Sequence, residues 1–191
     1  MLNNWAHLCI DMQSMFAEQT PWHVPWMASI SPAVVEVAAC YPQRTIFTRF
    51  VPPAAADKAT GMWKNYYRKW GAMTLERIDR RLVDVVPELA RFVPPARTFD
   101  KMTYSPWTDG RLHRTLQEEG IQTLVVTGGE TDVCVLAAVL GAIDLGYGVK
   151  VLSNAVCSGA DETHDATLLL LADRFSVQVD VLTSEEFLHQ L

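Results

Sequence analysis

The segment Val125-Val126-Thr127-Gly128-Gly129-Glu130-Thr131-Asp132-Val133-Cys134-Val135 passes from a β-branched apolar run, across two glycines, into a helical apolar pattern. A strand that runs straight into a helix leaves no room for a hairpin, so the next strand is reached by a crossover and lies parallel to the first. The same alternation recurs along the chain. Strand patterns fall at 5–11, 44–50, 97–101, 122–127, 149–153 and 177–182, and helical patterns at 31–40, 62–70, 108–119, 131–145 and 162–172. Ser31 reads as an N-cap with Pro32 at the first helical position, and Gly120 closes the helix before it.

This order predicts a three-layer α/β/α, Rossmann-like open sheet of six mostly parallel strands with helices on both faces. Residues 1–191 read as one domain, and a hydrophobic content of 49% supports a sizeable core. Between the second and third strands, the stretch 51–95 is an irregular excursion. It holds Val51-Pro52-Pro53, the aromatic run at 62–70 and an amphipathic run at 75–92 interrupted at Pro87. It is the candidate lid or subunit interface.

A net charge of -6, with no run of Lys or Arg, argues against a nucleic-acid partner. The longest apolar stretches, 133–143 and 168–172, are too short to span a bilayer. The start, Met1-Leu2-Asn3-Asn4, lacks the basic and apolar regions of a secretory signal, and cysteines 9, 40, 134 and 157 show no CxxC spacing. A cytoplasmic protein with free thiols is expected. Cys9, Cys40 and Cys157 read as small core hydrophobes.

Open α/β sheets bind ligands beyond the carboxyl ends of their strands. Asp11 ends the first strand, Lys101 ends the third and Cys134 follows the fourth. Singly these are ordinary: a turn carboxylate, a solvated amine, a packed thiol. Together they are the parts of an activated-nucleophile site. A cysteine in the first helical turn meets unpaired N–H groups and the positive end of the helix dipole, which favour a thiolate.

Other chemistry has less support. The histidines at 7, 23, 113, 164 and 189 show no ligand spacing, so no metal is expected. His164 reads as a surface or supporting residue, and His7 as a hydrogen-bonded core residue. Gly128-Gly129 lacks the spacing of a dinucleotide fingerprint, and no cofactor is expected.

Three ordered motifs carry a resemblance: Asp11-Met12-Gln13-Ser14-Met15-Phe16; Phe99-Asp100-Lys101-Met102-Thr103-Tyr104-Ser105; and the run from Thr127 to Val135 around Cys134. Joined by Ala142-Ile143-Asp144-Leu145-Gly146-Tyr147 and Thr183-Ser184-Glu185-Glu186-Phe187, they make nearly the whole chain resemble the isochorismatase-like cysteine hydrolases. The resemblance implies a triad of Asp11, Lys101 and Cys134 and a non-proline cis peptide joining Gly129 to Glu130. It also implies an oxyanion hole from the backbone N–H groups of Glu130 and Cys134. Nicotinamidases in this superfamily are expected to place an Asp-x-His metal motif after the second strand. Here the residues are Thr48-Arg49-Phe50-Val51.

The activity so implied is metal-independent hydrolysis of a C–N bond in a small amide, carbamoyl or ureido compound through a thioester. An isochorismatase-type vinyl-ether hydrolysis with the Asp as acid, and a non-catalytic binding or scaffold role, stay open. Aromatic residues near strand ends and in the excursion, Phe16, Phe50, Trp63, Tyr67, Tyr104 and Trp107, are the candidate substrate contacts. The alternative for the 63–70 stripe is core or interface packing. The partners expected are a small-molecule substrate and further copies of the chain, as a dimer or tetramer, with neither nucleic acid nor membrane.

Overall fold

The computed structural model describes residues 3–190. Six strands, β1 (Trp5–Ile10), β2 (Thr45–Phe50), β3 (Arg97–Lys101), β4 (Thr123–Gly129), β5 (Gly148–Cys157) and β6 (Val179–Leu182), pair in the order β3-β2-β1-β4-β5-β6. Every pairing is parallel. The order reverses between β1 and β4, where an open α/β sheet forms its ligand crevice.

The helices are α1 (Ser14–Ala17), α2 (Met27–Cys40), α3 (Trp63–Lys69), α4 (Pro87–Ala90), α5 (Arg111–Glu118), α6 (Leu136–Asp144), α7 (Asp161–Arg174) and α8 (Ser184–Leu188). Strand periodicity sorts them into two outer layers. Trp5 and Cys9 of β1 face one way, into a core with Val34 and Val37 of α2 and Phe187 of α8. Ala6, Leu8 and Ile10 face the other way, onto Leu112 and Leu116 of α5, Val139 of α6 and Leu171 of α7. Among the described residues no helix is long and apolar enough to cross a membrane.

Two local expectations are corrected, and the amphipathic 75–92 run takes a form of its own. Helix α2 begins at Met27 rather than at Ser31, with Pro32 inside it. Met27 and Ile30 lie on the same buried stripe as Val34, Val37 and Ala38, and burial of that stripe outweighs the bond that Pro32 cannot make. Cys40, on the same helix, lies off the stripe and is exposed rather than core. The 75–92 run is not a helix. Its backbone is drawn into tertiary bonds, Leu75 N–H to the Pro53 carbonyl at 3.0 Å and Glu76 N–H to the Ala54 carbonyl at 3.1 Å, so only a short 3-10 turn (Arg80–Val83) and α4 form.

The joint after β4 also differs from a simple helix start. The N–H of Val135 bonds to the carbonyl of Glu130 at 3.0 Å, giving Thr131–Val135 a widened π-type turn before α6 begins. Gly128 makes the approach to β1 possible. It has φ +102, and a Cβ there would sit 2.0 Å from the carbonyl oxygen of Ile10.

Candidate active site

Asp11 leaves β1 with φ 48, in the left-handed region that few non-glycine residues enter. Its backbone N–H donates to Thr48 Oγ1 at 3.1 Å, and the same hydroxyl donates to Asp11 Oδ1 at 2.6 Å. Gln13, fully buried, pins the following turn: its Nε2 donates to the carbonyls of Phe50 and Val83, and its Oε1 accepts from the N–H of Phe50 at 2.7 Å. These bonds hold a strained backbone in place and aim the carboxylate over the sheet edge.

Lys101 ends β3, opposite Phe50 in the ladder, and reaches across β2 over the Phe50 ring at 5.2 Å. Its Nζ donates to Asp11 Oδ2 at 2.6 Å and to the Thr103 carbonyl at 3.1 Å. Burial by itself would lower the lysine's pKa, but Asp11 and Cys134 outweigh it and hold the ammonium above the ordinary range. Cys134, on the turn after β4, is buried beside this pair and feels the charge of both Asp11 and Lys101.

The surroundings of the thiol act on its ionisation in opposite directions. Burial and the nearby Asp11 carboxylate push Cys134 well above the usual cysteine range, more than Lys101 draws it down. The balance favours the protonated thiol, next to the Asp11 carboxylate. The Gly129–Glu130 peptide, directly ahead of this turn, is cis.

The turn is tied down from the β5–α7 side. Ser158 Oγ donates to Asp132 Oδ1 at 2.6 Å, Thr163 Oγ1 donates to Asp132 Oδ2, and the N–H of Gly159 donates to Glu130 Oε1 at 3.1 Å. His164 Nδ1 lies 2.8 Å from Thr131 Oγ1, so this histidine supports the turn and does not meet Cys134. His7 sits in the core between Thr45 and Thr127.

Cys134 opens on a cavity of about 290 Å³. Of the expected substrate contacts, Phe16, Phe50 and Tyr104 line it; Trp63, Tyr67 and Trp107 do not. Trp63 and Tyr67 pack behind the wall, with centroids 6.2 Å apart. Trp107 turns to α6, where its Nε1 donates to the Ala138 carbonyl at 2.8 Å and its ring fills the space that a side chain at Gly141 would occupy. Trp22, Tyr66, Trp70 and Glu130 also line it, with Pro21, His23 and Val133. Tyr66 and Trp70 come from the aromatic stripe of the excursion, whose face packs inward rather than forming an exposed patch.

Thr48 and Gln13 were missed by sequence reasoning, since neither is unusual where it stands. Among the described residues no group of three or more His, Cys, Asp or Glu side chains is placed to hold a metal ion.

A model of the isochorismatase domain matches residues 5–186. The chain is 31% identical to nicotinamidase 3 of Arabidopsis thaliana over 177 residues, covering 92% of this chain and 84% of that protein. It is 28% identical to a probable inactive nicotinamidase of the same plant, covering 98% and 96%. The fold superposes on a cysteine hydrolase from Pseudomonas syringae pv. phaseolicola with a TM-score of 0.82, at 23% identity and covering 97% and 91% of the two chains.

Proposed function

The chain belongs to the isochorismatase family, and from that premise we propose that it is a cysteine amidohydrolase cleaving a C–N bond in a small amide, carbamoyl or ureido compound. The observation that carries the reading is the buried Asp11–Lys101 pair set against the Cys134 thiol at the end of an aromatic cavity.

Asp11 takes the thiol proton as Cys134 Sγ attacks the carbonyl carbon, and Lys101 holds the carboxylate and balances the charge moving onto sulfur. The backbone N–H groups of Glu130 and Cys134 receive the developing oxyanion, each such donor contributing about 10²–10³ in rate at comparable sites. Asp11 then returns its proton to the departing nitrogen, leaving a thioester. Water, deprotonated by Asp11, attacks the thioester; the acid leaves, and the proton passes back to Cys134 Sγ. One amide and one water become one acid and one amine.

A metal fits this edge poorly. The stretch Thr48-Arg49-Phe50-Val51 offers neither imidazole nor carboxylate, and the Asp11 oxygens are already engaged by Thr48 and Lys101. No step is assigned to one.

Ammonia release from a panel of small amides and ureides, with Cys134→Ser as the blank, tests the reading. Activity on at least one compound, lost in the variant, is expected. Full turnover by Cys134→Ala would overturn covalent catalysis in favour of Asp11 acting as an acid alone.

A further inference from the structure

The cavity wall is mostly aromatic, with Pro21, His23, Glu130, Val133 and Cys134 between the rings. Six aromatic side chains line it, Phe16, Trp22, Phe50, Tyr66, Trp70 and Tyr104, and its lining contains no lysine or arginine. Trp22 is the centre of the wall, with its ring centroid 6.1 Å from Phe16, 5.9 Å from Phe50, 6.0 Å from Tyr66 and 6.5 Å from Trp70. The one carboxylate among them is Glu130. Lys101 is not among the lining residues: its ammonium lies buried at the Cys134 end, donating to Asp11 and the Thr103 carbonyl. His23, the other titratable side chain facing it apart from the tyrosines and Cys134, lies 3.4 Å from Gln19 Nε2.

Each component treats charge in the same direction. Aromatic faces attract a cation and repel an anion through the ring quadrupole. Burial pushes the Glu130 carboxyl above its ordinary range; the Gly159 N–H draws it down in part, and no basic side chain does. A ligand carboxylate entering here would lose its water without gaining a cationic partner, a cost that an aromatic wall does not offset. A ligand cation would meet both the rings and the acid.

Resting on the amidase reading above, we propose that this site sorts amides by charge: a flat ring carrying a cationic group is preferred, the neutral ring is second, and a ring carrying a carboxylate is excluded. The cavity volume of about 290 Å³ suits a single ring with one substituent. Glu130 and the Trp22-centred wall determine this specificity, separately from the Asp11, Lys101 and Cys134 side chains that carry out the reaction.

Three probes of one shape test it: benzamide, 4-(trimethylammonio)benzamide and 4-carbamoylbenzoate. Binding is measured calorimetrically to Cys134→Ala at one fixed pH, and ammonia release is measured with the unaltered enzyme. The cationic amide is expected to bind about tenfold more tightly than benzamide, in the range of a desolvated cation–π contact, with the carboxylate weaker than either. In Cys134→Ala carrying Glu130→Gln, the ratio of cationic to neutral binding should fall several-fold.

Equal binding of the three, a reversed order, or no binding of any at millimolar concentration overturns the charge selection. The expected binding order without ammonia release from any probe would leave the selection standing and count against amide hydrolysis. Ammonia release at similar efficiency from all three would do the opposite.

Discussion

Lys101 Nζ and Asp11 Oδ2 lie 2.6 Å apart with their side chains 3% and 1% exposed, so an ion pair is closed off from water at the floor of the candidate site. Removing one member leaves a buried charge without its partner, which costs about 3–5 kcal/mol, whereas replacing both with neutral groups is far less damaging. In urea unfolding, Lys101→Met should therefore destabilise the protein by about that much, and adding Asp11→Asn should recover part of the loss. Additive losses from the two changes would show that the pair is not coupled as the geometry implies.

Burial raises the Cys134 pKa most, and the same pair acts on the thiol beside it. The Asp11 carboxylate raises the Cys134 pKa and the Lys101 ammonium lowers it. Asp11→Asn removes the raising charge and leaves the lowering one, so the midpoint of the pH profile for Cys134 alkylation by iodoacetamide should move down. Ammonia release by the same variant should fall by about 10²–10⁴, the usual contribution of a positioned base. An upward shift of the alkylation midpoint would contradict the assigned electrostatics.

His7 makes stability depend on acid. Burial lowers its pKa from 6.5 to about 3. A depressed folded pKa means that the unfolded chain takes up the proton first, so stability present above pH 6.5 is lost as pH falls towards 3. This one group should remove about 2 kcal/mol between pH 7 and pH 5. His7→Gln, which can still reach one neighbouring hydroxyl, should show a shallower acid-side loss in urea unfolding. A slope identical to that of the unaltered protein would mean that His7 is not held neutral.

Gly128→Ala tests the closeness of β1 and β4. The added Cβ would lie 2.0 Å from the Ile10 carbonyl oxygen, at a φ of +102 that L side chains avoid. A loss of more than about 3 kcal/mol, or failure to accumulate folded protein, is expected. Gly146→Ala has positive φ but open space around it, and should cost no more than about 1–2 kcal/mol.

Trp107 and Trp22 separate packing from binding. Trp107→Ala opens a void against α6 and should cost about 2–4 kcal/mol, with KM for any accepted amide little changed. Trp22→Leu removes the centre of the cavity wall and should raise KM. The reverse pattern would restore Trp107 as a substrate contact.

The meeting of Asp11, Lys101 and Cys134 at one sheet edge was legible because each lies at or just beyond a strand end, and strand ends are what periodicity marks best: Asp11 after β1, Lys101 closing β3, Cys134 in the turn past the glycines of β4. The third strand was read at its observed bounds, Arg97–Lys101. The start of α2 was misread because Ser31-Pro32 is a strong local start signal, yet the buried stripe reaches back to Met27. The 75–92 run has a helical pattern but lacks helical partners, and its backbone bonds to Pro53 and Ala54 instead. The aromatic stripe showed helical spacing, but only packing could show that Tyr66 and Trp70 turn to the cavity while Trp63 and Tyr67 stand behind.

The sequence by itself determined the alternation of strands and helices, the parallel sheet that follows from it, and the gathering of an acid, an amine and a thiol at one sheet edge. Periodicity and chain connectivity are local, and they are enough for that. Only the tertiary structure decided that Thr48 and Gln13 hold Asp11 in its strained turn, that burial keeps Cys134 a thiol, and which rings form the wall. Those depend on desolvation and on contacts between residues far apart in the chain, neither of which has a spacing that can be read along it.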